Sequence, residues 1–257
     1  LGLNIIFVFG YSIVPEMGAV GLAIASLITR YFMGFVLLIY CLVKIKIKYS
    51  KDFQYFVDLI RVGFPSSAAI MIEFAGFNMI AVIMGRVAGI YAAAHNLVCT
   101  LTNVSFMVPL AISNATAVKV GFSNGAKNFI DLKRYAYTGI GIAVLFMSIS
   151  ATVVGLFPKF LTSLFTKDPN LIAVCVPVVF VLCAFQIFDG LQVALAGVFR
   201  GIKQTKVIMI SNIIGYWFIS FPLGYLMAFK YNLNLLGFWY GLFCSSDRKS
   251  TRLNSSH

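Results

Sequence analysis

A chain of 257 residues with 11% charged residues, 60% hydrophobic residues and a mean hydropathy of +0.93 carries less than half the charge of an ordinary soluble domain, for which about 25% is usual. So little polar side chain cannot cover a water-facing surface, and so much apolar side chain does not stay disordered, which leaves an all-α polytopic membrane protein. The net charge of +12 would point to nucleic acid only if Lys and Arg gathered on one folded face.

In chain order, no initiator Met or signal peptide opens the sequence, and residues 1–10 (LGLNIIFVFG) begin inside an apolar run too short to span a bilayer. The expectation is a truncated start. Apolar stretches of roughly 20 residues or more follow near 17–43, 62–85, 90–119, 135–157, 170–199 and 206–229, with a partial helix from about 235. Several exceed a straight crossing, which implies tilt or ends that protrude from the lipid. Beyond Ser246 the text changes to DRKSTRLNSSH, a polar string without periodicity that resembles a translated frame of a common sequencing-library adapter. Residues 247–257 are therefore read as a non-native tail outside the fold. Cys41, Cys99, Cys175, Cys183 and Cys244 form no CxxC or short-spaced pair, which excludes a disulfide scaffold and a zinc or iron–sulfur site and marks them as buried apolar residues.

The basic residues separate by side. Lys44, Lys46, Lys48, Lys51 and Arg61, then Lys119, Lys127, Lys133 and Arg134, then Arg200, Lys203 and Lys206 fall in alternate connections, whereas only Arg86, Lys159, Lys167 and Lys230 fall in the others. The richer side is cytoplasmic by the positive-inside rule, so the basic excess is a topology signal and no nucleic-acid partner is expected. Arg30 alone lies within a span.

Of the acidic residues ahead of the tail, Glu16, Asp52, Asp58, Asp131 and Asp168 sit in loops or at helix ends, but Glu73 and Asp189 lie deep in apolar helices. An ionised carboxylate there costs several kcal/mol without a partner. Glu73 is 12 residues from Arg61 and Asp189 is 11 from Arg200. At about 1.5 Å per residue both lie near the middle of a core about 30 Å thick. Two carboxylates at one depth alternate naturally between protonated and cation-bound forms, which is the chemistry of coupling to a proton or sodium gradient, and an acidic cavity attracts a cationic organic substrate. The plainer alternative is a pair of neutral, hydrogen-bonded acids that lock helices together. Asn78, His95, Asn103, Gln186 and Gln192 are candidates to line the same cavity, Gln186 and Gln192 standing three positions either side of Asp189. For Asn78, His95 and Asn103 a helix-interface hydrogen bond is the competing role. Thr100, Thr102 and Ser105 share the helix of His95, where such hydroxyls commonly bond their own backbone. Pro109, Pro177 and Pro222 each remove a hydrogen bond to the carbonyl four residues earlier and predict kinks.

The strings VGFPSSAAIMIEFAGFNMIAVIMGRVAGIYAAAHNLVCTLTNVSFMVPLAISNATAVKVGFSNGAKN, FQIFDGLQVALAGVFRGIKQTKVIMISNIIGYWFISFPLGY and PEMGAVGLAIASLITR resemble multidrug and toxic compound extrusion (MATE) transporters, in order and spacing over almost all of 1–246. That resemblance implies a bundle of twelve helices in two lobes, of which this chain holds helix six and most of the C-terminal lobe. Residues 1–45 are then the end of the N-terminal lobe, 46–61 a cytoplasmic inter-lobe linker, and 62–246 helices seven to eleven with the start of twelve. It implies that Glu73 and Asp189 are the cation-coupling acids of helices seven and ten, holding sodium in the sodium-linked branch. AAAHNL, with His95, is similar to the family's AAHQI string. Phe185 departs from the tyrosine that some sodium-linked members carry one turn before the helix-ten acid.

The expected function is a secondary antiporter, acting as a monomer in a cell inner (plasma) membrane, that exports cationic or amphipathic compounds in exchange for sodium or protons, with no cofactor and no enzymatic activity. A lipid-linked saccharide flippase would show a strongly basic cavity, for which Arg30 is the one candidate. An intramembrane aspartyl protease would show Tyr-Asp and Gly-x-Gly-Asp strings, which are absent. An inert membrane scaffold is the remaining alternative of a different class.

Overall fold

The computed structural model describes residues 2–10, 17–45 and 53–254. Glu16, Lys46, Lys48, Lys51, Asp52 and His257, with the first part of the expected 46–61 linker, lie outside the described residues. Every regular element among the described residues is helical: α1 (Gly2–Phe9), α2 (Gly18–Ile45), α3 (Phe53–Val87), α4 (Gly89–Gly125), α5 (Phe129–Leu156), α6 (Pro158–Ser163), α7 (Pro169–Gly201), α8 (Thr205–Lys230) and α9 (Asn234–Asn254). Among them α2, α3, α4, α5, α7 and α8 are long and apolar enough to cross a membrane. The chain is a multi-pass membrane protein, as its composition requires.

Two compact units divide at residue 53. In the first, α1 and α2 meet where the Met17 amide donates to the Phe7 carbonyl at 3.3 Å. Gly21 is buried there, and a Cβ at that position would run into the Phe7 carbonyl, so only glycine permits the approach. The large apolar side chains of α2, among them Tyr31, Phe32, Phe35 and Leu38, are exposed, as befits a helix whose solvent is hydrocarbon.

The second unit is built around α7, the most apolar of the spans, which packs against α4, α5 and α9. Its main core joins Met84, Ala94, Val98, Val178, Val179, Leu182, Phe185, Tyr216 and Trp239. Helix starts follow from local chemistry: the Asn128 side chain accepts from the Asp131 amide at 3.2 Å, and Asp168 accepts from the Asn170 amide at 2.9 Å with Pro169 at the first helical position. Lys127 and Lys203 take φ of 55° and 62° in the turns after α4 and α7. There the Asn128 amide reaches the Ser123 carbonyl and the Gln204 amide reaches the Phe199 carbonyl, the hydrogen bond that closes a Schellman turn.

The helices outrun their apolar spans. α3 starts at Phe53 where hydropathy suggests 62, and α5 at Phe129 where it suggests 135. Asp58, Arg61 and Arg134 end the lipid-compatible stretch without ending the helix, because hydropathy reads depth in the bilayer and not hydrogen bonding. At the other end, the helical backbone of α9 carries on past Ser246 through 247–254. α4 and α7 remain helical through Pro109 and Pro177, and α3 contains Pro65 as well. Around Pro222 the backbone changes: α8 is α-helical over Thr205–Asn212, π-helical over Ile213–Ser220, α-helical over Phe221–Tyr225 and π-helical over Leu226–Lys230. The Phe221 amide donates to the Tyr216 carbonyl, five residues back, one turn below the proline.

Candidate functional site

α3, α7 and α8 place their polar residues together in the otherwise apolar second unit. Glu73 on α3 is half-buried, Asp189 on α7 is 3% exposed, and Tyr216 on α8 is fully buried. Tyr216 lies within electrostatic reach of Glu73, Asp189 and Gln192, and its ring packs beneath Gly76, three residues after Glu73 on α3.

A second polar level lies one turn toward the start of α8. Asn212, four residues before Tyr216, donates to the Ala69 carbonyl at 3.1 Å, and Ala69 is four residues before Glu73. Gln192 in turn donates to the Asn212 side-chain oxygen at 3.3 Å. At the start of α8, Thr205 donates to the Val62 carbonyl at 3.1 Å. The contacts on α3 at 62 and 69, and those on α8 at 205 and 212, thus repeat every seven residues along one seam, the spacing that keeps two crossing helices in register. Gly76, the next position of that series on α3, faces the Tyr216 ring.

Gln186, one turn from Asp189 on the same helix, is fully buried with neither its amide nitrogen nor its carbonyl oxygen hydrogen-bonded within the protein. A carboxamide left so costs several kcal/mol in a dry site. Beside the acids stands an aromatic cluster: Phe77 packs edge-on against Phe185, Tyr216 and Trp239 with ring centroids 6.4, 6.1 and 6.3 Å away. Phe185 fills its position with a ring 5.9 Å from that of Trp239. Its place one turn before Asp189 is packing, and the hydroxyl near the acids comes from α8 instead.

The other sequence candidates divide. His95 is 1% exposed, and its Nε2 donates to the Phe77 carbonyl at 3.0 Å, which ties α4 to α3. Asn78 is exposed and donates to the Phe74 carbonyl at 2.8 Å, and Asn103 is exposed on α4. Neither joins the Glu73, Asp189 and Tyr216 group. Arg30 is an exposed residue of α2 in the first unit. Among the described residues no three His, Cys, Asp or Glu side chains converge to hold a metal ion. A hard cation at Glu73 and Asp189 would take hydroxyl or amide oxygens to complete its shell. Tyr216 and Asn212 were not singled out from sequence. The signal was present in SNIIGYW, where the two stand four apart on one face.

Two carboxylates that face one dry site cannot both stay ionised without positive charge to offset them. A proton or a metal cation supplies it, and a change in which one is bound changes what holds α3 to α7 and α8.

The MatE family model matches residues 65–226. Among curated proteins, a probable multidrug resistance protein NorM of Mesorhizobium japonicum is 33% identical over 252 residues, covering 93% of this chain and 54% of the relative. A probable NorM of Photorhabdus laumondii is 30% identical over 250 residues, covering 93% and 55%. Among solved structures, the eukaryotic MATE transporter AtDTX14 superposes with a TM-score of 0.91 over 99% of this chain and 58% of its own, at 21% identity. The chain spans about half the length of the curated relatives it matches.

Proposed function

Because the chain belongs to the MATE family of transporters, we propose that it carries the coupling half of a secondary antiporter that exports cationic or amphipathic organic compounds in exchange for sodium ions or protons. The observation that supports this reading is two carboxylates, Glu73 and Asp189, placed within two different apolar spans, α3 and α7, away from either end and both within electrostatic reach of the fully buried Tyr216. The multidrug resistance relatives support the substrate class. In this reading the pair binds the coupling cation, and its protonation or occupancy selects between inward-open and outward-open arrangements of two lobes. Gln186 and Gln192 flank the pair on α7. His95 fixes α3 against α4, while Asn78 and Asn103, both exposed, take no part in the site. The protein acts as a monomer in the cell inner membrane.

The test is efflux of a fluorescent cationic dye from vesicles carrying the full-length protein, with sodium and proton gradients imposed separately. One gradient should drive efflux, and Asp189→Asn should bring the rate down to that of empty vesicles. Unchanged efflux in Asp189→Asn would reduce the acid to a structural role and overturn the reading.

A further inference from the structure

We propose that the end of the second unit where α3, α5 and α8 begin and α4 and α7 finish is a binding surface for anionic phospholipid headgroups, centred on Arg200, Lys203 and Lys206 in the turn between α7 and α8. This surface owes nothing to Glu73 and Asp189.

Packing gathers the charge in one place. The Thr205 hydroxyl donates to the Val62 carbonyl at 3.1 Å, which sets Arg61 beside the start of α8. A Cβ on Gly121 would stand 3.4 Å from the Gly201 carbonyl oxygen, so the end of α4, with Lys119 and Lys127, lies against the end of α7. Val120 and Val198 share a buried cluster with Ala136, which brings in the start of α5 with Lys133 and Arg134. Against these basic residues stand two described acids, Asp58 and Asp131, and Asp131 is already engaged by Arg134 at 3.8 Å and by Asn128 at 2.8 Å.

Arg200 gives the surface a fixed centre. Its Nε donates to the Ala196 carbonyl at 3.3 Å, and its two terminal nitrogens donate to Asn114 Oδ1 at 3.3 Å and Ser113 Oγ at 2.8 Å. All three acceptors are neutral, so these bonds orient the guanidinium without offsetting its charge. A guanidinium has five N–H groups, and three donations leave two for a further acceptor. Lys203 and Lys206 follow in the next turns of chain, both exposed. A phosphate is the acceptor that a guanidinium and two ammonium groups fit best, because it accepts several charge-assisted hydrogen bonds at once.

The surroundings of the charge select a bilayer over a soluble acidic partner. Phe122, Phe129, Ile130 and Tyr137 are 80, 63, 68 and 74% exposed among the basic residues of α4 and α5. The Lys119 ammonium stands 5.8 Å over the Tyr135 ring. Large apolar side chains interleaved with cations suit a membrane interface, where rings rest at headgroup depth and Lys and Arg stems carry their charge to the phosphates. The far ends of the spans carry less charge: Arg86, Lys159, Lys167 and Lys230, with Asp168 among them.

The experiment titrates the detergent-solubilised full-length protein with phosphatidylglycerol or with phosphatidylcholine of the same acyl chains and counts bound lipids by native mass spectrometry. Phosphatidylglycerol should bind roughly tenfold more tightly or better, the scale of a few basic residues at an anionic headgroup. Lys203→Gln combined with Lys206→Gln should remove most of that preference, and Arg86→Gln combined with Lys159→Gln should leave it intact. If the first pair does not fold, Lys206→Gln alone decides, with a smaller loss expected. The proposal is overturned if the two lipids bind alike, if the Lys203 and Lys206 substitutions keep the wild-type preference, or if the Arg86 and Lys159 substitutions remove as much of it. Displacement of phosphatidylglycerol by an equal concentration of inorganic phosphate would make this a site for free phosphate and overturn the assignment to lipid.

Discussion

Two seams of the second unit are held together in opposite ways. Between α4 and α7, the most extensive interface of the unit, backbone approaches backbone. Gly197 lies against the Ser113 backbone, Gly201 against Val120, and Ser113 donates to the Val193 carbonyl at 2.6 Å. Near the end of α7, Arg200 closes the seam with bonds to the Ser113 and Asn114 side chains at 2.8 and 3.3 Å. Between α3 and α8 the backbones stand further apart, and α3 has no extensive close approach to any neighbour among the described residues. Side chains bridge the gap at Thr205 and Asn212, the Tyr216 ring packs beneath Gly76, and His95 of α4 reaches across to Phe77. Asp189 therefore sits on a tightly packed frame and Glu73 on a helix held by polar rungs. A site whose two acids stand on elements of different stiffness can change its geometry at one acid without disturbing the other.

The tight seam breaks under added volume. Gly197→Val places its Cβ within 2.5 to 2.6 Å of the Ser113 carbonyl and hydroxyl oxygens, and nothing there is a flexible side-chain end. The expected loss is about 3 kcal/mol or more, at the upper end for overpacking. Thermal unfolding of the detergent-solubilised full-length protein reads it directly. A variant as stable as wild type would show that α4 and α7 separate easily, and the contrast between the seams would vanish.

The polar seam should respond differently. Asn212→Ala removes the bond to the Ala69 carbonyl and leaves Gln192, whose carbonyl oxygen is already without a protein partner, with its amide unsatisfied as well. Two lost interhelical bonds amount to about 1 to 2 kcal/mol on the scale measured for membrane helices. The same unfolding assay should show that smaller loss. Efflux titrations should show a small shift in the driving-ion half-saturation, because Asn212 anchors the turn of α3 that precedes Glu73.

The contrast between the seams also explains what could be read in the sequence. The spans were legible because roughly 20 apolar residues have few other uses. Glu73 and Asp189 were legible because a carboxylate in hydrocarbon is expensive and so stands out by type alone. Tyr216 did not stand out. A tyrosine is common in membrane helices, its ring satisfies an apolar pattern, and only the fold reveals where its hydroxyl goes. The π segments were invisible for a related reason: Pro222 announces a disturbed backbone, but whether the helix bends or widens depends on what α9 and α7 allow. His95 illustrates a residue whose two readings no pattern separates, since a polar tie between helices and a cavity wall use the same side chain at the same depth. Asn78, five residues after Glu73, is exposed and bonds its own helix, a distinction of helix face that the repeat of 3.6 residues leaves open when α3 is apolar nearly all round.

The smallest expected effect is also the one that separates structure from coupling most cleanly. Thr205→Val keeps the shape of the side chain at the start of α8 and removes only the 3.1 Å bond to the Val62 carbonyl. Thr205 is buried, but the carbonyl it serves belongs to a helix that already bonds it internally, so the loss is one of the weaker kind, about 0.6 kcal/mol. A small drop in unfolding temperature with unchanged driving-ion half-saturation is expected. If this remote rung altered ion dependence, the seam would be transmitting strain along its whole length from Val62 to Glu73, α3 and α8 would behave as one rigid pair, and the division between a stiff frame and an adjustable helix would have to move from the α3–α8 seam to another boundary.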